Sequence, residues 1–144
     1  IGCVDDTCLA TGELLAVKDT PFDFNKRKRI GQDLEADHIQ LKNAFGYDHS
    51  FVLNGTENQL TLEEPVSGRR LIISTTAPVI QVYTGNFLKD GCIGKAGRVY
   101  ENREGVALET QLMPNAINTE ENPSTILRKG DKFESNTKYV FEIM

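Results

Sequence analysis

The sequence is poor in the residues that build thiol and metal chemistry. It holds three cysteines (Cys3, Cys8, Cys92) and two histidines (His38, His49) in 144 residues. An odd and sparse cysteine set is not a secreted disulfide framework, so free thiols in a reducing, cytoplasmic setting are expected. With two imidazoles and no Cys-x-x-Cys pair, a structural zinc site is not expected. No apolar run approaches the roughly 20 residues of a bilayer span, which excludes a transmembrane helix. Basic charge is in deficit as well: 16 Lys+Arg against 21 Asp+Glu leave a net charge of −5. That balance lacks the footprint of a nucleic-acid binder, so neither nucleic acid nor membrane is an expected partner. The one strongly basic stretch, Lys26-Arg27-Lys28-Arg29, reads as a solvated turn. The lone sequon at Asn54-Gly55-Thr56 reads as a turn too. No linker, repeat or low-complexity tract divides the chain. Its opening, Ile1-Gly2-Cys3-Val4, has no initiator Met or targeting pattern and reads like the interior of a longer polypeptide.

What is present is a one-domain composition, 39% hydrophobic and 26% charged, arranged with a period of two. Phe51-Val52-Leu53 runs into Asn54-Gly55, with Leu60 and Leu62 alternating beyond it, a hairpin-like pattern. Pro65-Val66-Ser67-Gly68 punctuates, and Arg70 to Thr75 follows as a strand rich in β-branched residues. Val79 to Thr84 alternates strictly, with Val79, Gln81 and Tyr83 on one face. Val106 to Gln111 and Thr137 to Ile143 complete the strands, the last after a turn at Arg128-Lys129-Gly130-Asp131. One short helix is expected around Ile30 to Leu34. The class is all-β, and frequent turns between short strands suggest a sandwich.

Familiar catalytic motifs fail. Gly91-Cys92-Ile93-Gly94-Lys95-Ala96-Gly97 has the wrong glycine spacing for a P-loop and no Ser/Thr after the lysine, so it reads as a loop. No G-x-S-x-G or H-E-x-x-H occurs, and nothing in the spacing supports a triad. Polar groups inside strand patterns are more informative. Glu109 and Gln111 share a face opposite Val106 and Leu108. Gln81 shares one with Tyr83, and Asp48 and Ser50 alternate with Tyr47, His49 and Phe51. Such positions can be merely the wet side of half-buried strands. A face of Glu, Gln, Asp and Tyr also suits a polyhydroxylated ligand: carboxylates and amides bond hydroxyls, and an aromatic ring covers the apolar side. Periodicity leaves both open.

Three stretches resemble the aldose 1-epimerase (galactose mutarotase) family. They are Gly46-Tyr47-Asp48-His49-Ser50-Phe51-Val52-Leu53, then Gln81-Val82-Tyr83-Thr84-Gly85-Asn86-Phe87-Leu88, then Leu108-Glu109-Thr110-Gln111 with Pro114-Asn115-Ala116-Ile117-Asn118. Asp5-Asp6-Thr7, Thr11-Gly12-Glu13, Thr20-Pro21-Phe22-Asp23 and the Gly91 to Gly97 stretch with Tyr100 match more weakly. The resemblance implies part of a large galactose mutarotase-like β-sandwich with an open sugar cleft. It also implies interconversion of the α and β anomers of free aldoses such as galactose and glucose. Glu109 matches the general base for the anomeric hydroxyl, Asp48 a carboxylate that bonds sugar hydroxyls, and Gln81 a position lining the same cleft. A base should titrate near its working pH, so Glu109 is expected to be partly desolvated. The implied reaction requires no metal or organic cofactor, and its partner is a small aldose. His49 follows Asp48 directly, so on a regular strand it faces away and reads as structural.

The resemblance covers the family's C-terminal half. Residues 1–144 are therefore expected to be the C-terminal portion of a single aldose 1-epimerase domain. The family's acid is a histidine upstream of anything here, as are a second histidine and an arginine that hold the sugar. His38 and His49 fall on other positions. The chain is then a segment of a longer enzyme, a half that pairs with its complement, or a non-catalytic carbohydrate-binding module. Unpaired edges and exposed apolar faces are expected in each case. A hexose-phosphate epimerase is a further rival, with Arg69-Arg70 as the available phosphate ligands.

Overall fold

The computed structural model describes residues 1–89, 91–119 and 125–144. Strands β1 (Gly2–Val4) and β2 (Ala10–Leu14) precede helix α1 (Ile39–Ala44). Then come β3 (Asp48–Val52), β4 (Leu60–Glu64), β5 (Arg69–Thr75), β6 (Val79–Tyr83), β7 (Ala107–Gln111) and β8 (Thr137–Ile143). They form antiparallel sheets ordered β1-β2, β3-β6-β7 and β4-β5-β8. The architecture is all-β, as the period-two pattern requires. Among the described residues, no helix is long and apolar enough to cross a membrane.

The expected hairpin between residues 51–53 and 60–62 does not form. β3 pairs with β6, and β4 pairs with β5 in a different sheet. Local turn chemistry decides this. At residues 65–68 the Glu64 carboxylate accepts the Val66 and Ser67 N–H groups at 2.8 and 2.7 Å, and Gly68 takes φ +72°. That closes β4 onto β5 through a tight turn, which costs little loop entropy. The Asn54-Gly55 turn exists, with Gly55 at φ +73°, but it lies in a longer loop that carries the chain between sheets. Gln59 ties the end of that loop to Thr75 with two bonds, at 2.8 and 2.9 Å.

The helix expected around Ile30 is a single 3-10 turn at Ile30–Gln32, and the α-helix lies later, at Ile39–Ala44. His38 caps it by accepting the Gln40 N–H at 3.2 Å, and Phe45 ends it at φ +56°. Gln40 docks the helix on β1, accepting the Val4 N–H at 2.7 Å and donating to Val4 C=O at 3.0 Å. β1 went unread because it has three residues, and β2 because Gly12 interrupts its alternation. The basic tetrad is not uniformly solvated. Lys28 lies 4.4 Å over the Phe24 ring and donates to Pro21 C=O and Asp33. Its aliphatic stem covers apolar surface while the ammonium stays bonded.

The main core gathers Ile1, Phe22, Leu41 and Tyr47 beneath β3, with Phe24 and Phe51 packed against it. Burial pushes the Tyr47 phenol up to about 12, so it remains a donor, to Pro21 C=O at 2.8 Å. The β4-β5-β8 sheet is different. Leu60, Leu62, Leu71, Ile73, Tyr139, Phe141 and Ile143 share one face by register. Phe141 and Ile143 stay 79% and 73% exposed. That is a contiguous apolar surface of the kind normally covered.

Candidate functional site

Register assembles the site. In β3-β6-β7, Ser50 opposes Gln81 and Gln81 opposes Glu109, giving one row across three strands. The next row is Asp48, Tyr83 and Ala107. All six side chains share a face because strand side chains alternate. The opposite face carries His49, Phe51, Ile80, Val82 and Leu108 and packs toward the core. Directly opposed residues on antiparallel strands stand about 5 Å apart at Cβ, so Glu109 lies within a small ligand's reach of Gln81.

The Gln81 amide organises this face. Its Nε2 donates to Asp48 Oδ1 at 2.7 Å, and its Oε1 accepts from Ser50 Oγ at 2.5 Å. These bonds set which end of the amide faces which neighbour and, among the described residues, leave Asp48 Oδ2 without a partner. Ser50 is the participant that sequence reasoning did not single out. Its place two residues on, on the same face as Asp48, was the available signal, and the residue is only 3% exposed. Tyr83 is held by its hydroxyl, which accepts the Phe87 N–H at 2.9 Å.

The segment after β6 secures the start of β3. Asn86 Nδ2 donates to Ala44 C=O at 2.8 Å and Tyr47 C=O at 3.1 Å, while its Oδ1 accepts from Thr84 at 2.8 Å. Gly46 passes beside this clamp at φ +139°, and an added Cβ would lie 2.5 Å from Asn86 Oδ1. So Thr84 and Asn86 are buried supports of the strand that presents Asp48, not ligands. Buried, fully bonded polar networks of this kind specify one arrangement.

Glu109 departs from expectation. It is exposed, and the described residues give its carboxylate no hydrogen bond or ion pair. The desolvation expected of a base is therefore not provided by the described residues, on a strand at one edge of its sheet. His49 does face away from Asp48, fully buried, with its ring edge-on to Phe22 at 4.7 Å. Arg70 lies in the other three-stranded sheet and pairs with Glu63 at 2.8 Å and Glu142 at 3.3 Å. Arg69 donates to Ser67 at 2.8 Å. The pair does not reach the Gln81 face, which removes the physical basis for a phosphate there.

A family model described as aldose 1-epimerase matches residues 1–140. The chain belongs to the aldose 1-epimerase family. Galactose mutarotase from Sus scrofa is 38% identical over 143 residues, and that from Homo sapiens 37%. Aldose 1-epimerase from Escherichia coli K12 is 34% identical over 144 residues. Each match covers nearly all of this chain, 96–97%, and only 40–41% of the relative. A solved aldose epimerase homologue from C. elegans superposes with TM-score 0.85 at 32% identity, over 99% of this chain and 42% of the other. A galactose 1-epimerase from Lactobacillus acidophilus superposes with TM-score 0.72 at 30% identity. This epimerase-family chain thus spans about two-fifths of the length of the relatives it matches.

Its buried histidine has a consequence for stability. Burial pushes the His49 imidazole down from 6.5 to about 4. Between those values the unfolded chain takes up a proton that the folded ring refuses. Stability is thus present above pH 6.5 and lost as pH falls toward 4. At about 1.4 kcal/mol per pH unit the loss reaches up to about 3 kcal/mol. Urea midpoints at pH 7 and pH 4 should fall further apart for wild type than for His49→Leu. Equal falls would mean that other groups carry the acid sensitivity.

Proposed function

We propose that this chain carries the base and the sugar-ligating groups of an aldose 1-epimerase that interconverts the anomers of free hexoses such as galactose and glucose. We propose further that it is the C-terminal portion of one epimerase domain. The observation that carries this is the row Ser50–Gln81–Glu109 with Asp48 bonded to Gln81. Asp48 and the Gln81 amide accept from and donate to sugar hydroxyls. Glu109 removes the proton of the C1 hydroxyl while an acid from outside this chain protonates the ring oxygen. The ring C1–O bond breaks and C1 becomes a carbonyl. Rotation about C1–C2 turns its other face to the hydroxyl, and closure reverses both proton transfers. The exposed apolar face bearing Tyr139, Phe141 and Ile143 supports a complement of the same domain packed against β4-β5-β8. The free thiols of Cys3 and Cys8 fit a reducing, cytoplasmic setting.

One observation favours a second reading, a carbohydrate-binding module without turnover: neither imidazole serves the Gln81 face. His38 caps α1, and His49 is on the opposite side of β3. Polarimetry of freshly dissolved α-D-galactose separates the two. The chain alone is expected to leave mutarotation near its spontaneous rate. Together with the portion of the fold that its relatives contain and it lacks, it should accelerate the reaction. A positioned acid is worth about 10²–10⁴ in rate. Sugar binding without acceleration in the complete assembly would favour the module, and neither binding nor acceleration would refute both readings.

A further inference from the structure

We infer that His49 is a positioning residue: its Nδ1 accepts the Asp48 backbone N–H and so fixes the carboxylate that Gln81 binds. Where sugar turnover is the readout, this rests on the proposed function. Among the described residues β3 is an outer strand, with β6 as its one neighbour in the sheet. Alternate N–H groups of such a strand point away from the ladder. The Thr84 N–H donates to Tyr47 C=O at 3.0 Å, so Tyr47 faces β6 and the next residue, Asp48, faces away. The Asp48 N–H consequently meets no strand among the described residues, and His49 Nδ1 accepts it at 3.1 Å.

That bond puts the ring proton on Nε2. Nε2 is buried and has no hydrogen-bond partner among the described residues. A fully buried imidazole with an idle donor is an unfavourable filler, and a hydrocarbon side chain would pack beside Phe22 without that penalty. What the imidazole supplies and a hydrocarbon cannot is the acceptor at Nδ1. Phe22 holds the ring edge-on at 4.7 Å, so the acceptor stays aimed. The restraint passes from the Asp48 backbone to its carboxylate, and from there to the Gln81 amide at 2.7 Å.

Two variants in the complete assembly test this. His49→Leu fills the space without an acceptor, whereas His49→Asn offers Oδ1 where Nδ1 stood. Packing alone ranks Leu above Asn; positioning ranks Asn above Leu. Exchange of the Asp48 amide hydrogen should be slow in wild type and His49→Asn, and about ten-fold faster in His49→Leu. KM for the aldose should rise about ten-fold in His49→Leu, with a smaller change in kcat, and recover in His49→Asn. Wild-type exchange and KM in His49→Leu would overturn the inference, as would a greater impairment of both in His49→Asn. Should the wild-type assembly fail to turn over aldoses, the proposed function fails, and the Asp48 amide still decides the role of His49.

Discussion

Replacing Glu109 by Gln in the complete assembly is expected to lower kcat for mutarotation about 10²–10⁴-fold, with KM changed far less. Gln keeps the size and hydrogen-bonding reach of the side chain but cannot take the C1 hydroxyl proton. Glu109 is exposed and, among the described residues, bonds to nothing. Its substitution should therefore alter stability by no more than about 0.5 kcal/mol. That separation makes the variant informative, since a fall in activity cannot be attributed to unfolding. In the proposed mechanism Glu109 acts on a proton rather than holding the sugar, so the loss belongs in kcat. Asp48 and Gln81 are bonded to each other, and as the proposed sugar ligands their loss should fall mainly on KM. Wild-type kcat in Glu109→Gln would show that the proton goes elsewhere. Even then the Asp48–Gln81–Ser50 network could still bind sugar.

The largest stability effect is expected at Phe22, where truncation to Ala should cost about 3–5 kcal/mol. Its side chain is wholly buried. It meets His38 at 5.3 Å, Tyr47 at 5.4 Å, His49 at 4.7 Å and Phe51 at 6.4 Å between ring centroids. These partners come from β3 and from the segments flanking it, so the cavity opens beneath the strand that presents Asp48. Part of the cost is lost transfer free energy, and part is the void left by rings that cannot close in. Urea unfolding of wild type and Phe22→Ala measures it directly, as a fall in midpoint with an unchanged slope. A loss below about 1 kcal/mol would mean that the rings collapse into the space and that this core is less rigid than its edge-on contacts imply. The Asp48 amide should also exchange faster in Phe22→Ala, because the His49 ring loses its support.

Much of the strand framework is legible from residue order alone. The alternating run from Val79 and the β-branched run ending at Thr75 are strands because a half-buried pleat imposes a period of two. The same period puts Asp48, Gln81 and Glu109 on polar faces before any pairing is known. The quoted stretches around them carried the family, which the match over residues 1–140 shows. Pairing was not legible in this way. Asn54-Gly55 signals a turn, yet β3 reaches past two strands to β6 because the Pro65 to Gly68 turn claims β4 for β5. The short helix at Ile39–Ala44 escaped as well. It is too short to show a helical period, and its docking through the Gln40 amide is a tertiary contact.

By itself, then, the sequence determined composition, the positions of the strands from β3 onward, the face of each candidate residue and the family, because these depend on neighbours along the chain. The register that sets Ser50, Gln81 and Glu109 in one row was decided only by the tertiary structure. So were the roles of Thr84 and Asn86 as a buried clamp, the exposure of Glu109, and the bond between His49 and the Asp48 N–H. Each of these depends on which segment happens to lie across from another, and that follows from closing loops and burying surface over the whole molecule.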